Sequence, residues 1–294
     1  MEVVVSFSQI AHFFSGVSTL FLIILPILAL AVLVEMALRL VLKRGYPYKH
    51  SLVSFAVGVG HVLTQAVTYG IIIGVIGEAA YHFRLFTVHF SWSDVPLVLA
   101  LFIACDFFFY WEHRTSHRVR FLWATHSVHH SAEDMVLSTA IRLGWTALLS
   151  GIFFFYLPLV LLGFSPKIIG VMISVSLLYQ IFVHTELVPH IPGIEWIVNT
   201  PSAHRVHHGS NHEYIDKNFG GVFLIWDHLF GTYQKELKNV DIRYGLVEKR
   251  SSWWDPFVIA YGEFWNIAKS VVTEKSWRAK VGCVWRPPGW TPGS

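Results

Sequence analysis

Hydrophobic positions along this chain gather in long blocks separated by short polar breaks. Val17 to Leu42 is the clearest block, Leu52 to Gly77 is the second, and Val95 to Trp111 is a shorter third. Gly144 to Phe164 and Ile168 to Val188 follow as a pair broken at Ser165-Pro166, the pattern of a helical hairpin. A helix that crosses a bilayer needs about 20 mainly apolar residues. The pattern therefore predicts an all-α, multi-pass membrane protein with about four to five hydrophobic spans. Buried helices of a large soluble core are the competing reading, and they are usually shorter than the first two blocks.

Composition strengthens this picture. Of 294 residues, 54% are hydrophobic, 16% aromatic and only 14% charged, too apolar for an ordinary soluble domain. The net charge of +3 is small, and the basic residues are not interleaved with aromatics along one face, which excludes a nucleic-acid binder. Cys105 and Cys283 alone make neither a disulfide framework nor a cysteine-rich metal site. The N-terminus lacks the basic region and cleavage site of a secretory leader, so the first span is expected to be retained. Lys43, Arg44 and Lys49 place the first loop in the cytoplasm by the positive-inside rule. The hairpin tip carries only Lys167, whereas the last hundred residues are rich in lysine and arginine. This orientation predicts three regions: N-terminal spans and loops over 1–94, a catalytic unit over 95–233, and a cytoplasmic segment over 234–294. The Pro/Gly-rich tail from Arg286 is expected to be non-helical.

Three histidine clusters carry the chemistry: His113-Arg-Thr-Ser-His117, His126-Ser-Val-His129-His130 and His204-Arg-Val-His207-His208. The topology puts all eight on the cytoplasmic face of the membrane, in a helical cap. His113 and His117 share a helix face, and the i, i+3, i+4 spacing of the other two clusters lets each present three imidazoles together. Eight imidazoles are about what two adjacent metal ions need, and a single structural zinc, closed by four ligands, leaves the rest unexplained. Nitrogen-rich ligation without thiolate suits iron, zinc, copper or nickel. His184, at the end of the fifth block, can complete one metal's coordination; His190 is a weaker candidate. Asp106, Tyr110, His113 and His117 form one stripe, and Asp106 is expected to accept a hydrogen bond from a ligand imidazole. Glu133, Asp134 and Asp216 are candidates for the same part. His61 and Gln65 are expected to make interhelical hydrogen bonds, and Glu35 and Arg39 an i, i+4 pair with Arg39 reaching for the interface. The remaining histidines read as ordinary surface groups. The sequence has no phosphate loop, nucleophile elbow or dinucleotide fingerprint, so reducing equivalents must come from elsewhere. A metal transporter would place its ligands within the spans, and a membrane zinc hydrolase would use fewer histidines and a carboxylate base.

The residues around the clusters are more specific. Asp106-Phe-Phe-Phe-Tyr-Trp-Glu-His113-Arg, His129-His130-Ser-Ala-Glu-Asp134 with Leu137-Ser-Thr-Ala-Ile-Arg142, and Asn199-Thr-Pro-Ser-Ala-His204-Arg-Val-His207-His208-Gly stand in this order. Tyr214-Ile-Asp-Lys-Asn-Phe-Gly-Gly221 and Trp226-Asp-His-Leu-Phe-Gly-Thr232 follow. From about Phe102 to Tyr233 the chain resembles the fatty acid hydroxylase superfamily of membrane di-iron enzymes, which includes sterol desaturases and alkylglycerol monooxygenase. The resemblance implies that His113, His117, His126, His129, His130, His204, His207 and His208 hold two iron ions, with His184 a ninth ligand; zinc can replace iron in such a cage. It implies O2-dependent hydroxylation of a membrane lipid, whether fatty acyl, sterol, sphingolipid or alkyl-ether, with desaturation as the alternative on the same scaffold. It also implies a bacterial inner membrane or endoplasmic reticulum location. With no fused cytochrome b5 domain, it implies a separate redox partner: cytochrome b5, a ferredoxin with its reductase, or tetrahydrobiopterin. Val188 stands where some hydroxylases carry a further histidine, and Met135-Val136 and Leu143 replace polar or aromatic residues of the alkylglycerol branch.

Overall fold

A computed structural model describes residues 26–292, and among these there are helices and turns but no strand, only one isolated bridge between Val198 and Phe223. The chain begins with α1 (26–41) and α2 (Tyr48–Ile71), which runs through a π-helical stretch, Ile72–Gly77, into α3 (Glu78–His82). Then come α4 (Val95–Arg118), α5 (Arg120–His126), α6 (Leu157–Leu161) and α7 (Pro166–Phe182). The remainder is α8 (Pro201–His208), α9 (Ile225–Leu229), α10 (Pro256–Thr273) and α11 (Trp277–Trp285). The tail after Trp285 is non-helical as far as it is described.

Among the described residues two helices, α2 over Tyr48–Thr68 and α4, are long and apolar enough to cross a membrane. The first predicted span lies partly outside the described residues, from Val17 to residue 25. The fourth, Gly144 to Phe164, is not a single helix. Its start is a turn wedged under α5, where a Cβ on Gly144 would lie 2.5 Å from the Thr125 carbonyl oxygen. Gly151, at φ +83°, then reverses the chain, and a 3-10 turn over Ile152–Tyr156 leads into the five residues of α6. Pro158 has no N–H and clashes with the carbonyl four residues back, so it is tolerated only in a first turn, which is where α6 places it. The fifth block is helical as α7, 17 residues capped by Ser165, whose hydroxyl accepts from Ile168 N–H, and is shorter than α2 and α4.

The apolar core that positions the site lies between α4, α6 and α7. Leu101 and Cys105 of α4 pack with Leu159, Val160, Ile169 and Met172. Asp94 caps the start of α4 by accepting from Leu97 N–H at 3.2 Å, and the helix holds its register from there to His117. Its buried face is Leu101, Cys105, Asp106, Tyr110, His113, Ser116 and His117, so one apolar helix turns polar as it nears the centre. The short α8 starts at a Thr200 cap followed by Pro201, and every residue from Ser202 to His208 is buried. A helix this short and this polar is stable only because its side chains find partners inside the protein.

Candidate metal centre

Nine histidines converge in two groups. His113, His117, His126, His130 and His207 form one, and His129, His184, His204 and His208 the other; within each, the potential ligand atoms all lie within 4.8 Å of one another. The groups do not follow the sequence clusters. Helix α5 ends at His126, and a 3-10 turn over His129–Ser131 replaces the single helical face expected for the second cluster. The adjacent His129 and His130 therefore point into different groups. In α8, His204 and His208 share one face and enter the second group, while His207 enters the first.

Hydrogen bonds to backbone carbonyls set the tautomers. The Nδ1–H of His113 donates to Phe219 O at 2.8 Å, that of His129 to Arg142 O at 3.2 Å, that of His184 to Gln180 O at 2.6 Å, and that of His207 to Lys217 O at 3.0 Å. Each Nε2 is then a lone pair aimed inward. His129 and His184 show the consequence most clearly: their Nε2 atoms face each other at 3.1 Å with no proton to share. Such a contact is repulsive unless a cation lies beside it. Other pairs are as close, with His113–His126 and His184–His204 at 2.9 Å and His204–His208 at 3.1 Å. Nitrogens about 2.0–2.1 Å from a metal stand roughly 2.8–3.0 Å apart at right angles and about 3.3–3.4 Å apart in a tetrahedron. The observed separations are of the size that nitrogens sharing one metal would show. His117 Nε2 and His207 Nε2 are buried without any hydrogen-bond partner, as ligand atoms aimed at a metal would be. The residues present fit two metal ions.

The aspartate expected to touch an imidazole does something else. Asp106 accepts from Val222 N–H at 2.8 Å, Phe223 N–H at 3.1 Å and Trp226 Nε1–H at 3.0 Å, and so pins the loop after α8 rather than a ligand. From the opposite side Asp227 accepts from the N–H groups of Phe219 and Gly220 and from the Thr232 hydroxyl. That loop supplies the carbonyl that orients His113. The carboxylate nearest a ligand is Asp216, 3.5 Å from His117 Nδ1 and bound to Arg118 Nε at 2.9 Å. Glu133 pairs with Lys249, Asp134 with His50, and His190 with Glu195, all away from the two groups. His61 bonds the Gly144 carbonyl at 2.9 Å, whereas the Gln65 amide nitrogen has no partner.

Glu35 and Arg39 do not pair. Glu35 accepts from Leu137 N–H at 2.7 Å and from the Thr185 hydroxyl at 2.6 Å, beside His184, and Arg39 turns inward to Glu186 at 3.2 Å. Arg205 works on the same loop from α8, donating to the carbonyls of Thr185 and Val188 while its other edge grips Glu236. Neither role is visible in sequence spacing, because both partners are about 20 to 150 residues distant. Glu35→Ala strands a buried N–H and a buried hydroxyl, each worth about 1–3 kcal/mol when unpaired. The expected result is a lower unfolding temperature and weaker metal retention in the His184 group; unchanged values for both would refute this tie.

Burial pushes the imidazoles of His126, His130, His204, His207 and His208 well below their usual range, and that of His129 down to about 4. At neutral pH they are uncharged, as ligands must be. Unfolded, each takes up a proton near pH 6.5; folded, none does until far lower. The unfolded state therefore binds more protons across that window, and metal-free protein loses stability as pH falls below about 6.5. Thermal unfolding of chelator-stripped protein should show a falling midpoint from about pH 7 to pH 5, and a level profile would contradict the assignment.

The family model that matches this chain is that of fatty acid hydroxylase, over residues 98–232. This chain belongs to the fatty acid hydroxylase superfamily. The region matched to the fatty acid hydroxylase model holds all nine histidines together with Asp106, Arg142 and Asp227. Human alkylglycerol monooxygenase is 37% identical over 212 residues, 72% of this chain and 46% of the relative. The alkylglycerol monooxygenase of Danio rerio is 40% identical over 220 residues, 73% and 48% of the two chains. Ornithine lipid hydroxylase OlsE of Rhizobium tropici is 28% identical over 166 residues, 55% and 50%. The chain thus spans about half the length of the curated relatives it matches. No solved structure matches it. With two bilayer-length helices and lipid enzymes among its relatives, this is a membrane protein.

Proposed function

We propose that this protein is a di-iron monooxygenase that hydroxylates a C–H bond of a membrane lipid. The observation that carries the reading is the pair of all-histidine groups, five and four imidazoles, with the His129–His184 lone-pair contact inside the second. Neither group contains the carboxylate that a hydrolytic zinc site uses as its base. Iron bound there supplies activation of dioxygen for attack on an unactivated C–H bond. The chain's own part is to aim His113, His129, His184 and His207 through backbone carbonyls and to bury the histidines away from bulk water. Lipid as substrate class is supported by the names of the relatives, an alkylglycerol monooxygenase and an ornithine lipid hydroxylase. In this reading electrons come from a separate donor: cytochrome b5, a ferredoxin with its reductase, or tetrahydrobiopterin.

In this reading the chain crosses the membrane several times, α2 and α4 among the crossings, with the histidines at the cytoplasmic face below Lys43, Arg44 and Lys49. The test uses protein purified in detergent, with iron, a reductant and a lipid extract, under oxygen-18 gas. One labelled oxygen in a lipid alcohol is expected. Label arriving only from water, or a turnover that survives removal of iron, would sink the proposal.

A further inference from the structure

We infer that α10 and α11 form a membrane-docking face, with α10 lying along the surface of one leaflet and α11 seated among anionic phospholipid headgroups. On α10, Phe257, Tyr261, Trp265 and Val272 are 66%, 41%, 63% and 79% exposed. At 3.6 residues per turn these four, with Ala268, fall within an arc of about 80° and span roughly 22 Å. That length is short of the ~30 Å apolar core of a bilayer, so the stripe does not cross one. No charged residue interrupts it. The opposite face is anchored, since Ile259 packs against Val57 of α2 and Val128 beside the histidines.

The stripe joins a surface that already faces lipid. Trp145 donates its Nε1–H to the Val57 carbonyl and lays its ring against Phe257 and Tyr261, with centroids 5.2 and 5.7 Å away. At that level α2 exposes Phe55 and Val59 outward. The start of α10 is thus level with the bilayer-length helix, and the inference rests on α2 crossing the membrane.

Charge decides what covers the face. Between residues 264 and 292 the cations are Lys269, Lys275, Arg278, Lys280 and Arg286, against Glu274 as the single acid. None of the five has a carboxylate partner among the described residues. Arg278, Trp277 and Trp285 of α11 stand with Arg286 and Trp290 of the tail around a groove of about 510 Å³. Gly282 lets the tail fold back to make it, because a Cβ there would lie 2.3 Å from the Trp290 ring. Tryptophan beside unpaired arginine is the composition of a membrane–water interface, and an apolar stripe edged with cations binds anionic bilayers.

Spin labels on the full chain, reconstituted in phosphatidylcholine vesicles with and without phosphatidylserine, test this. Single labels go on Trp265→Cys, Val272→Cys and Trp277→Cys with Cys105→Ala and Cys283→Ala, with Val59→Cys as bilayer reference and Lys238→Cys as aqueous reference. Labels at 265 and 272 should match 59 in meeting oxygen and escaping a water-soluble nickel chelate. The label at 277 should move deeper when phosphatidylserine is present, and Arg278→Gln with Arg286→Gln should abolish that movement. If 59 reads as lipid while 265 and 272 match 238, the inference fails alone. An aqueous reading at 59 overturns it together with the membrane-spanning assignment. Label–label broadening that ignores lipid composition assigns the face to a second copy of the chain and also overturns it.

Discussion

His204→Ala will yield protein that keeps metal in the five-histidine group and loses it from the other, with lipid hydroxylation lowered by more than about 100-fold, beyond what loss of a ligand's outer partner costs. His204 Nε2 stands 2.9 Å from that of His184 and 3.1 Å from that of His208, so it touches two of the three other members of its group. Removing it leaves three imidazoles and a buried void. The remaining three are neutral, and His129 and His184 are still aimed inward by their carbonyl bonds, which hold without the metal. The fold should therefore survive, and the readout is metal per chain, two in the parent and one in the variant. His190→Ala is the control, because His190 pairs with Glu195 and belongs to neither group. Two metals retained by His204→Ala, or both lost from His190→Ala, would contradict the division of the site.

How far such residues can be read from the chain depends on the range of the interaction. His113 and His117 are one helical turn apart on a helix that the apolar pattern already implies, and the structure keeps them together in one group. His126, His129 and His130 look like a single helical face for the same reason. The helix ends at His126, however, where a 3-10 turn takes over, and His129 parts from His126 and His130, which stay in one group. The histidine-rich site was readable because imidazole clustering is local. The assignment of ligands to groups was not, because it is made by the meeting of three distant segments.

The fourth apolar block shows the same limit for the fold. Hydrophobicity over Gly144 to Phe164 measures burial, and this segment is buried against α4 and α7 rather than drawn out as one helix. Gly151 and Pro158 were the local signs, and both are points where a helix stops or restarts. Asp106 was noticed because a carboxylate in an apolar helix is expensive. Its partner is a loop more than a hundred residues away, a contact that the spacing of nearby histidines cannot reveal.

Asp227→Asn should lower stability by about 3 kcal/mol, since hydrogen bonds to a charged acceptor contribute roughly 1.5–3 kcal/mol. In a chain of this size that is roughly 5–10 °C in the unfolding midpoint. Asp227 is fully buried, and its two oxygens accept from Phe219 N–H at 2.8 Å, Gly220 N–H at 2.7 Å and the Thr232 hydroxyl at 2.6 Å. An amide in its place turns a donor toward at least one N–H. The loop cannot adjust easily, because a Cβ at Gly220 would already lie 2.3 Å from the Phe223 carbonyl oxygen. Phe219 is also the residue whose carbonyl holds His113 Nδ1–H. Losing the clamp should therefore weaken metal in the five-histidine group by about 10–100-fold while sparing the other. Asp106→Asn loosens the same loop at Val222 and Phe223, three and four residues farther on, so its effect on metal should be smaller at a similar cost in stability. Equal metal loss from both groups, or a larger loss from Asp106→Asn than from Asp227→Asn, would show that the Phe219 carbonyl is not what orients His113.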